Sequence, residues 1–260
     1  MPIRRALSIL DAKKEGKKNV RVETIIYIGF FAAIIFGLAA ALAGFGSRWG
    51  FWYFRTGFVI LRWSAYGGLF AIAACVIGLI GSVRGGINVG ITLTVIGLII
   101  SVATVGLPLT WQQAIKRVPR IHDITTDTTN PPKFLSILPL RKNSSNQADY
   151  GGPEIAAQQH AAYPDVKSLV LNQPVGVLFE KALDVARKMG WEIIDSNQKD
   201  GRIEGVDTTF WFGFKDDIVI RLEAEGSGTR IDLRSVSREG RSDVGMNAKR
   251  IRAFLKMIQI

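Results

Sequence analysis

The 260 residues of this chain carry a formal net charge of +11, and their mean hydropathy is nevertheless positive, at +0.19. Residues 1–111 hold eleven Lys or Arg and three Asp or Glu, a net charge of +8, whereas residues 112–260 hold twenty-two and nineteen, a net charge of +3. Because most of the excess charge flanks apolar sequence, where basic residues orient membrane proteins, the composition argues against a nucleic-acid-binding protein.

Residues 1–22 form a basic tail, which we expect to be cytoplasmic, and residues 23–111 contain three uncharged apolar runs. The runs are Thr24–Ser47, Trp63–Val83 and Ile87–Trp111. Each reaches the roughly 20 residues that a helix needs to cross ~30 Å of hydrocarbon. We therefore predict three transmembrane helices. The runs contain no Asp, Glu, Lys, Arg or His, which argues against an ion or proton transporter.

The basic residues predict an orientation. With the N-terminus in the cytoplasm, the cytoplasmic side carries eight Lys or Arg near the spans and the other side carries six. This bias predicts a C-terminal domain outside the cytoplasm. Ala41-Leu42-Ala43 resembles a signal-peptide cleavage site, and whether the first span is cleaved stays open, although cleavage would leave the domain on the same side.

A polar segment, IHDITTDTTNPP at residues 121–132, follows the third run. Its Asp, Thr and Asn side chains can bond nearby backbone N–H groups, and its two prolines favour extended backbone, so we expect a turn-rich strap. The alternative hypothesis makes Asp123 and Asp127 a catalytic carboxylate pair. Polar, aperiodic sequence continues to about residue 162, and we predict strap and linker over residues 112–165.

Residues 166–260 predict an α+β domain with an antiparallel sheet of about four strands and two helices, both on one sheet face. Apolar and polar residues alternate along the strands, and the apolar positions of each helix form one stripe. The elements are, in order, a helix over 172–190, strands over 191–196, 202–209, 217–225 and 229–237, and a helix over 242–258.

The other sheet face is predicted to carry mixed charge. Its residues are Arg221, Glu223, Arg230, Asp232 and Arg234. Such a face is usually solvated, and the alternative is a shallow groove in which arginines bind an anionic envelope ligand.

The aromatic run FWFGF, Phe210–Phe214, connects the second and third predicted strands. Four aromatic rings around one glycine favour a plug in the core. The alternatives are the mouth of an apolar ligand site or a loop that dips into the nearby bilayer.

Motifs for catalysis or cofactor binding are missing from the sequence. It contains no G-x-S-x-G, no P-loop and no G-x-G-x-x-G, and its two histidines lie in the strap and linker. We therefore predict no cofactor and no metal site, and a binding protein in preference to an enzyme.

Three stretches, IHDITTDTTNPPKF, FWFGFKDDIVIRL and RSVSREGRSDVGMNAKRIRAFL, resemble the domain-of-unknown-function 1499 family of bacterial envelope proteins over roughly residues 118–258. The resemblance implies an envelope domain and no particular chemistry. It also implies that polar residues of these motifs act together, as a ligand site or as one network that ties the strap to the last helix. They are Asp123, Asp127, Arg221, Arg234, Arg238, Asp243 and Asn247.

From these features we expect a bacterial inner-membrane protein whose extracytoplasmic domain binds an envelope component, either a lipid, a cell-wall fragment or a partner protein. The alternative is an envelope hydrolase that uses Asp123 and Asp127. The expected partners are the lipid bilayer and an anionic envelope ligand or a membrane protein. Small residues such as Gly37 and Ala41 have the spacing that lets helices approach closely, which favours a compact three-helix bundle and also permits a homo-oligomer.

Overall fold

The computed structural model describes the backbone of residues 2–260 and the side chains of residues 20–260. The chain divides into two compact units, Met1–Gln112 and Gln113–Ile260.

The first unit is helical. It contains α1 (Pro2–Arg48), α2 (Phe54–Gly85) and most of α3 (Asn88–Arg117), which continues into the second unit. The stretches Val20–Arg48, Phe54–Gly85 and Asn88–Lys116 are long and apolar enough to cross a membrane. The three apolar runs are therefore helical, as the sequence predicts.

Small residues bring these helices close together around Cys75, the single cysteine of the chain. A Cβ on Gly29 of α1 would lie 2.9 Å from the Cys75 Sγ atom, and a Cβ on Gly97 of α3 would lie 2.7 Å from it. Both distances are shorter than real Cβ contacts, so glycine is required at both positions. At Gly37, where the sequence predicts close helix packing, a Cβ would lie 2.8 Å from the Ile100 side chain of the same chain.

The second unit is built on one antiparallel sheet of six strands. Its helices and strands are β1 (Asp123–Thr125), a 3-10 turn (Leu138–Arg141), α4 (Gly152–Ala162), β2 (Leu169–Leu171), α5 (Val175–Lys188), β3 (Glu192–Asn197), β4 (Arg202–Thr208), β5 (Lys215–Glu225), β6 (Gly228–Ser237) and α6 (Met246–Ile258). The strand order is β1-β6-β5-β4-β3, and β2 pairs with β6 on the same edge as β1.

The predicted numbers of strands and helices in this domain, about four and two, were too low. The four predicted strands are present as β3–β6, and β1 and β2 extend the sheet to six. Strands β1 and β2 have three residues each, which is too few to show an alternating pattern of apolar and polar residues. The additional helix α4 lies where a linker or loop was expected, and its sequence GPEIAAQQHAA has no apolar stripe to reveal it.

Helices α5 and α6 cover one face of the sheet, as predicted. Ile218, Ile220 and Leu233 point from the central strands into a core that also contains apolar residues of both helices. Trp191 stacks on Phe254 with ring centroids 5.6 Å apart. Burial of these side chains gives the fold most of its stability.

Residues 126–150, which we call the covering segment, lie over the second face of the sheet. Phe134 and Ile137 of this segment pack against Val206, Val219 and Val236 of the strands. The face that was expected to be solvated is therefore largely buried, although Glu223 remains exposed. The alternating pattern of β5 and β6 identifies the second face correctly but contains no information about what covers it.

Candidate functional site

One buried ion pair of the covered face joins Asp123 of β1 to Arg234 of β6. The Arg234 guanidinium donates to both carboxylate oxygens, at 3.0 and 2.7 Å. The two side chains are 6% and 3% exposed. Arg234 also donates to the backbone oxygen of Ala148 at 2.7 Å. A bidentate pair of this kind is directional and strong, so it fixes the end of the covering segment to the sheet.

Two aromatic rings enclose the same guanidinium. Its central carbon lies 5.3 Å from the centroid of the Phe134 ring and 5.5 Å from that of Tyr150. Burial raises the pKa of Tyr150 to about 12, with a contribution from the Asp123 carboxylate. The phenol therefore stays neutral at physiological pH, and the positive charge of Arg234 is held between two ring faces.

Asp127 has both carboxylate oxygens occupied. Its Oδ1 accepts hydrogen bonds from the backbone N–H groups of Thr129 and Asn130, at 3.0 and 2.9 Å. Its Oδ2 accepts from Arg221 at 3.0 Å and from Arg230 at 2.9 Å. A general base needs a lone pair aimed at its substrate, so this geometry favours a turn-forming and charge-pairing role for Asp127.

Asp232 of β6 lies beside Asp127 and completes this cluster. It accepts hydrogen bonds from Arg221 at 2.8 Å, from Arg230 at 3.0 Å, from Thr126 at 3.0 Å and from the Ser168 hydroxyl. Burial acts to raise the pKa of Asp232, but the hydrogen bonds outweigh it and the pKa lies below its usual value. Asp232 is therefore ionised at neutral pH and holds both arginines in place.

Glu204 of β4 binds the middle of the covering segment. One of its oxygens accepts from the backbone N–H groups of Leu135 and Ser136, at 2.8 and 3.2 Å, and the other accepts from that of Ile137 at 2.9 Å. Arg202 places its Nε atom 2.9 Å from the same carboxylate. Three successive N–H groups around one carboxylate form an anion nest, so this buried glutamate acts as a clamp.

Arg238 does not lie in an open groove. Its guanidinium donates to Asp217, with distances of 2.7 and 3.0 Å to Oδ1. Arg141 of the covering segment pairs with the other oxygen of Asp217. Because the Asp217 side chain is fully buried, this triad is a third attachment of the covering segment to the sheet.

Asn247 lies on the opposite face of the sheet, at the start of α6. Its amide donates to the backbone oxygen of His122 at 3.0 Å and to the Ser237 hydroxyl at 3.1 Å. Its Oδ1 accepts from Ser235 at 2.7 Å and from Arg250 at 2.5 Å. Asn247 thus connects the first turn of α6 with the strand edge where the chain enters the sheet.

Asp243 precedes the same helix and accepts from the backbone N–H groups of Gly245 and Asn247, at 2.9 and 2.7 Å. Burial raises its pKa and outweighs the effect of these two hydrogen bonds. Ser242 accepts from the N–H of Val244 at 3.2 Å. The N-cap residue of α6 is Gly245, which has no side chain to cap the helix, and the Asp243 carboxylate instead accepts from the first-turn N–H of Asn247.

The seven predicted site residues are divided between the two faces of the sheet. Asp123, Asp127, Arg221, Arg234 and Arg238 lie on the covered face, in separate clusters, and Asp243 and Asn247 lie on the helix face. The sequence analysis missed Glu204, Asp217 and Arg250. Glu204 and Asp217 occupy covered-face positions next to Val206 and Val219 on β4 and β5, and a charged residue at such a position was a usable signal for these two. In residues 20–260 no group of three or more His, Cys, Asp or Glu side chains is placed to hold a metal ion.

An open cleft of about 230 Å³ remains between the covering segment and strands β4 and β5. Its lining residues are Asn130, Pro131, Pro132, Lys133, Leu135, Asp200, Arg202, Val219 and Arg221. Arg202 and Arg221 are directly opposite each other on the paired strands, so two guanidinium groups form its floor. The cleft is smaller than the roughly 300–1,000 Å³ of sites for drug-sized ligands, so it has room for one small polar group.

The architecture defines a class of protein in which long apolar helices precede an antiparallel sheet domain. Helices cover one face of that sheet, and a segment held by charged residues covers the other. A family model described as "Protein of unknown function (DUF1499)" matches residues 123–258, and the chain belongs to that family. The match begins at the first residue of β1 and ends at the last residue of α6, so the family corresponds to the whole sheet domain.

Comparison with curated proteins finds no match. Among solved structures, the chain is similar to CalU16 from Micromonospora echinospora, with 19% identity over 35% of this chain and 72% of that chain, and a TM-score of 0.23. A similarity at this level carries no argument about fold or function.

Proposed function

We propose that this protein is a binding protein of the bacterial inner membrane, with a cytoplasmic N-terminus and an extracytoplasmic sheet domain that binds an envelope component. Three helices that are long and apolar enough to span a bilayer support the anchoring. The excess of Lys and Arg before the first of them supports the orientation. The engagement of Asp123 and Asp127 by arginines favours binding over hydrolysis.

The orientation predicts where the C-terminus lies. A periplasm-active reporter fused after Ile260 should give full activity, and a cytoplasm-active reporter at the same position should give none. Fusions after Gly86, in the short connection between α2 and α3, are the internal control and should give the reverse result. Reporter activity from Ile260 only in the cytoplasm would contradict the orientation and the envelope role with it.

The cleft beneath the covering segment is the observation that carries the binding function. Arg202 lies within 2.8, 3.5 and 2.9 Å of Asp195, Asp200 and Glu204. Arg221 also has three carboxylate neighbours, Asp127, Glu223 and Asp232, at 3.0, 3.4 and 2.8 Å. Because these carboxylates outnumber the two guanidinium groups, the floor offers donors and acceptors together without an excess of positive charge, which suits a hydroxyl-rich neutral group better than a strongly anionic one. Pro131, Pro132 and Leu135 add apolar surface for the carbon side of such a group. These features support a sugar of a cell-wall fragment as the ligand.

The cleft predicts which leucine matters for binding. Leu135 is 53% exposed and lines the cleft, whereas Leu138 of the same segment is 44% exposed and does not. We expect Leu135→Ala to weaken binding of a soluble disaccharide-peptide cell-wall fragment by about tenfold, since burial of a leucine side chain contributes roughly 1.5–3 kcal/mol. Leu138→Ala, as the matched control, should leave the affinity unchanged.

The measurement is a calorimetric titration of the full-length protein in nanodiscs. Phosphatidylglycerol headgroup, added as soluble glycerophosphoglycerol, serves as the anionic comparison and should bind more weakly. Saturable binding of the fragment that both leucine variants reduce equally, or no saturable binding to the parent protein, would refute the cleft as the site.

A further inference from the structure

The chain enters the sheet domain at one defined end of the sheet, which we call the entry end. It comprises the start of β1 and β5, the end of β4 and β6, and the loops that connect them. His122, before β1, accepts a hydrogen bond from the N–H of Ser237 at 3.0 Å, and Asp216 of β5 is the partner of Ser237 on the other side. Asp207 of β4 is in turn the partner of Asp216. The aromatic loop 209–214 therefore projects from the same end at which the chain arrives.

The connection between the last apolar helix and this end is short. Helix α3 ends at Arg117, and the Pro119 oxygen already accepts a hydrogen bond from Ser242, at 3.2 Å. The Ile121 oxygen accepts from the N–H of Asp243 at 3.3 Å. Helix α3 itself continues six residues, about 9 Å, beyond Trp111 at 1.5 Å per residue. Only a few residues therefore separate the entry end of the sheet from the last apolar helix.

The aromatic loop divides its rings between the core and the solvent. Phe212 is buried and stacks on Phe214, with ring centroids 5.5 Å apart and planes 5° from parallel. Hydrogen bonds between Thr209 and Phe214, at 2.8 Å, close the base of the loop. Phe210, in contrast, is 78% exposed, and every other aromatic side chain of residues 113–260 is buried or half-buried. The loop is thus a closed turn with an inner plug and a single outward phenyl ring at its tip.

Exposed basic residues lie at the same end of the sheet as this ring. Arg120, Lys215 and Arg241 are all exposed. Of the carboxylates there, Glu192 is exposed, and Glu239 is half-buried and accepts a hydrogen bond from the Ser145 hydroxyl at 2.7 Å. Asp207 and Asp216 are paired with Arg250, at 2.7 and 2.6 Å. An apolar ring among exposed cations is the composition of surfaces that lie on anionic bilayers, because the ring enters the headgroup layer and the cations bind phosphate.

We propose that the entry end is a lipid-contact surface, in which Phe210 inserts into the headgroup layer of the bilayer that anchors the chain and Arg120, Lys215 and Arg241 bind anionic lipid headgroups. The proposal rests on the membrane anchoring proposed above and is independent of the cleft and of the orientation. It distinguishes the entry end of the sheet from the opposite end, which carries the β3–β4 and β5–β6 turns.

Site-directed nitroxide labels test the proposal in the full-length chain. In a Cys75→Ala background, one label is placed by Phe210→Cys and a control label by Ser227→Cys, in the β5–β6 turn at the opposite end of the sheet. The protein is reconstituted in nanodiscs of mixed phosphatidylcholine and phosphatidylglycerol. Power saturation then measures the accessibility of each label to oxygen, which concentrates in lipid, and to a nickel chelate, which stays in water. We expect the oxygen-to-nickel accessibility ratio to be several-fold higher at position 210 than at position 227.

A second measurement retains the phenyl ring, since a nitroxide is itself apolar. A nitroxide label introduced by Lys215→Cys should show a high oxygen-to-nickel accessibility ratio when Phe210 is intact. The ratio should be lower in the Phe210→Ser variant. The ratio should also fall when phosphatidylglycerol is omitted. Equal ratios at positions 210 and 227, or a ratio at position 215 that does not respond to Phe210→Ser, would overturn the proposal. Neither result would bear on ligand binding in the cleft, which the leucine variants measure separately.

Discussion

Asp123→Ala will lower the free energy of unfolding of the sheet domain by about 3–5 kcal/mol, the loss typical when one member of a buried ion pair is removed. The variant leaves the Arg234 guanidinium, whose side chain is 3% exposed, without its carboxylate partner. The remaining acceptor within 3.0 Å is the Ala148 oxygen, which cannot balance a full charge. The loss is measured by urea unfolding of the full-length protein in nanodiscs, with protection from protease as the readout of the folded fraction.

A surface ion pair provides the control for this prediction. Asp184 and Lys188 are 2.6 Å apart on α5, with side chains 58% and 63% exposed. Asp184→Ala should therefore cost at most about 1 kcal/mol. Adding Arg234→Met to Asp123→Ala should restore part of the loss, because it removes the stranded charge and keeps most of the side-chain volume. Equal destabilisation by Asp123→Ala and Asp184→Ala would show that the Asp123–Arg234 pair contributes little.

The Asp123–Arg234 pair also shows what the sequence can and cannot reveal. Both residues were identified as site residues because they lie in motifs of the family, yet they are 111 positions apart. Nothing in either motif specifies that they bind each other and not a ligand. The same holds for Asp127, whose partners Arg221 and Arg230 lie 94 and 103 positions away. Residue types were therefore predictable, whereas pairing depended on strand register.

The fold was predictable where its elements are long and periodic. Strands β5 and β6, with eleven and ten residues, show the period of two that identifies a strand. The covering segment could not be predicted in the same way, because only a few apolar residues, among them Phe134 and Ile137, bind it to the sheet. Polar contacts supply the rest, and carboxylate clamps such as Glu204 to the N–H groups of residues 135–137 leave no periodic signature.

This mode of attachment bears on function. A segment that is fixed mainly by ion pairs and a carboxylate nest has directional contacts, so it adopts one position or separates from the sheet as a unit. The cleft lies directly beneath it, and Leu135 belongs both to the cleft wall and to the Glu204 nest. Stability of the covering segment and affinity for a ligand in the cleft should therefore be coupled.

Arg250→Met will lower the free energy of unfolding of the sheet domain by about 3–5 kcal/mol, at least as much as Asp123→Ala. Arg250 lies on the opposite face of the sheet, the one that the helices cover. Arg250 is buried between Asp207 and Asp216, with N–O distances of 2.7 and 2.6 Å. These two aspartates are direct cross-strand partners on β4 and β5, and like charges in that relation repel each other. The guanidinium therefore lies between the two facing carboxylates and offsets their repulsion.

Helix α6 offers a closely matched control, because Arg252 lies two residues further along it. Arg252 pairs with Asp165 at 2.5 Å, but these side chains are 42% and 56% exposed. Arg252→Met should cost at most about 1 kcal/mol. In Arg250→Met, adding Asp207→Asn should recover part of the stability, since it removes one of the two facing charges. The same urea titration measures all three variants. A loss for Arg250→Met no greater than for Arg252→Met would mean that water or a rearranged side chain replaces the guanidinium at no cost.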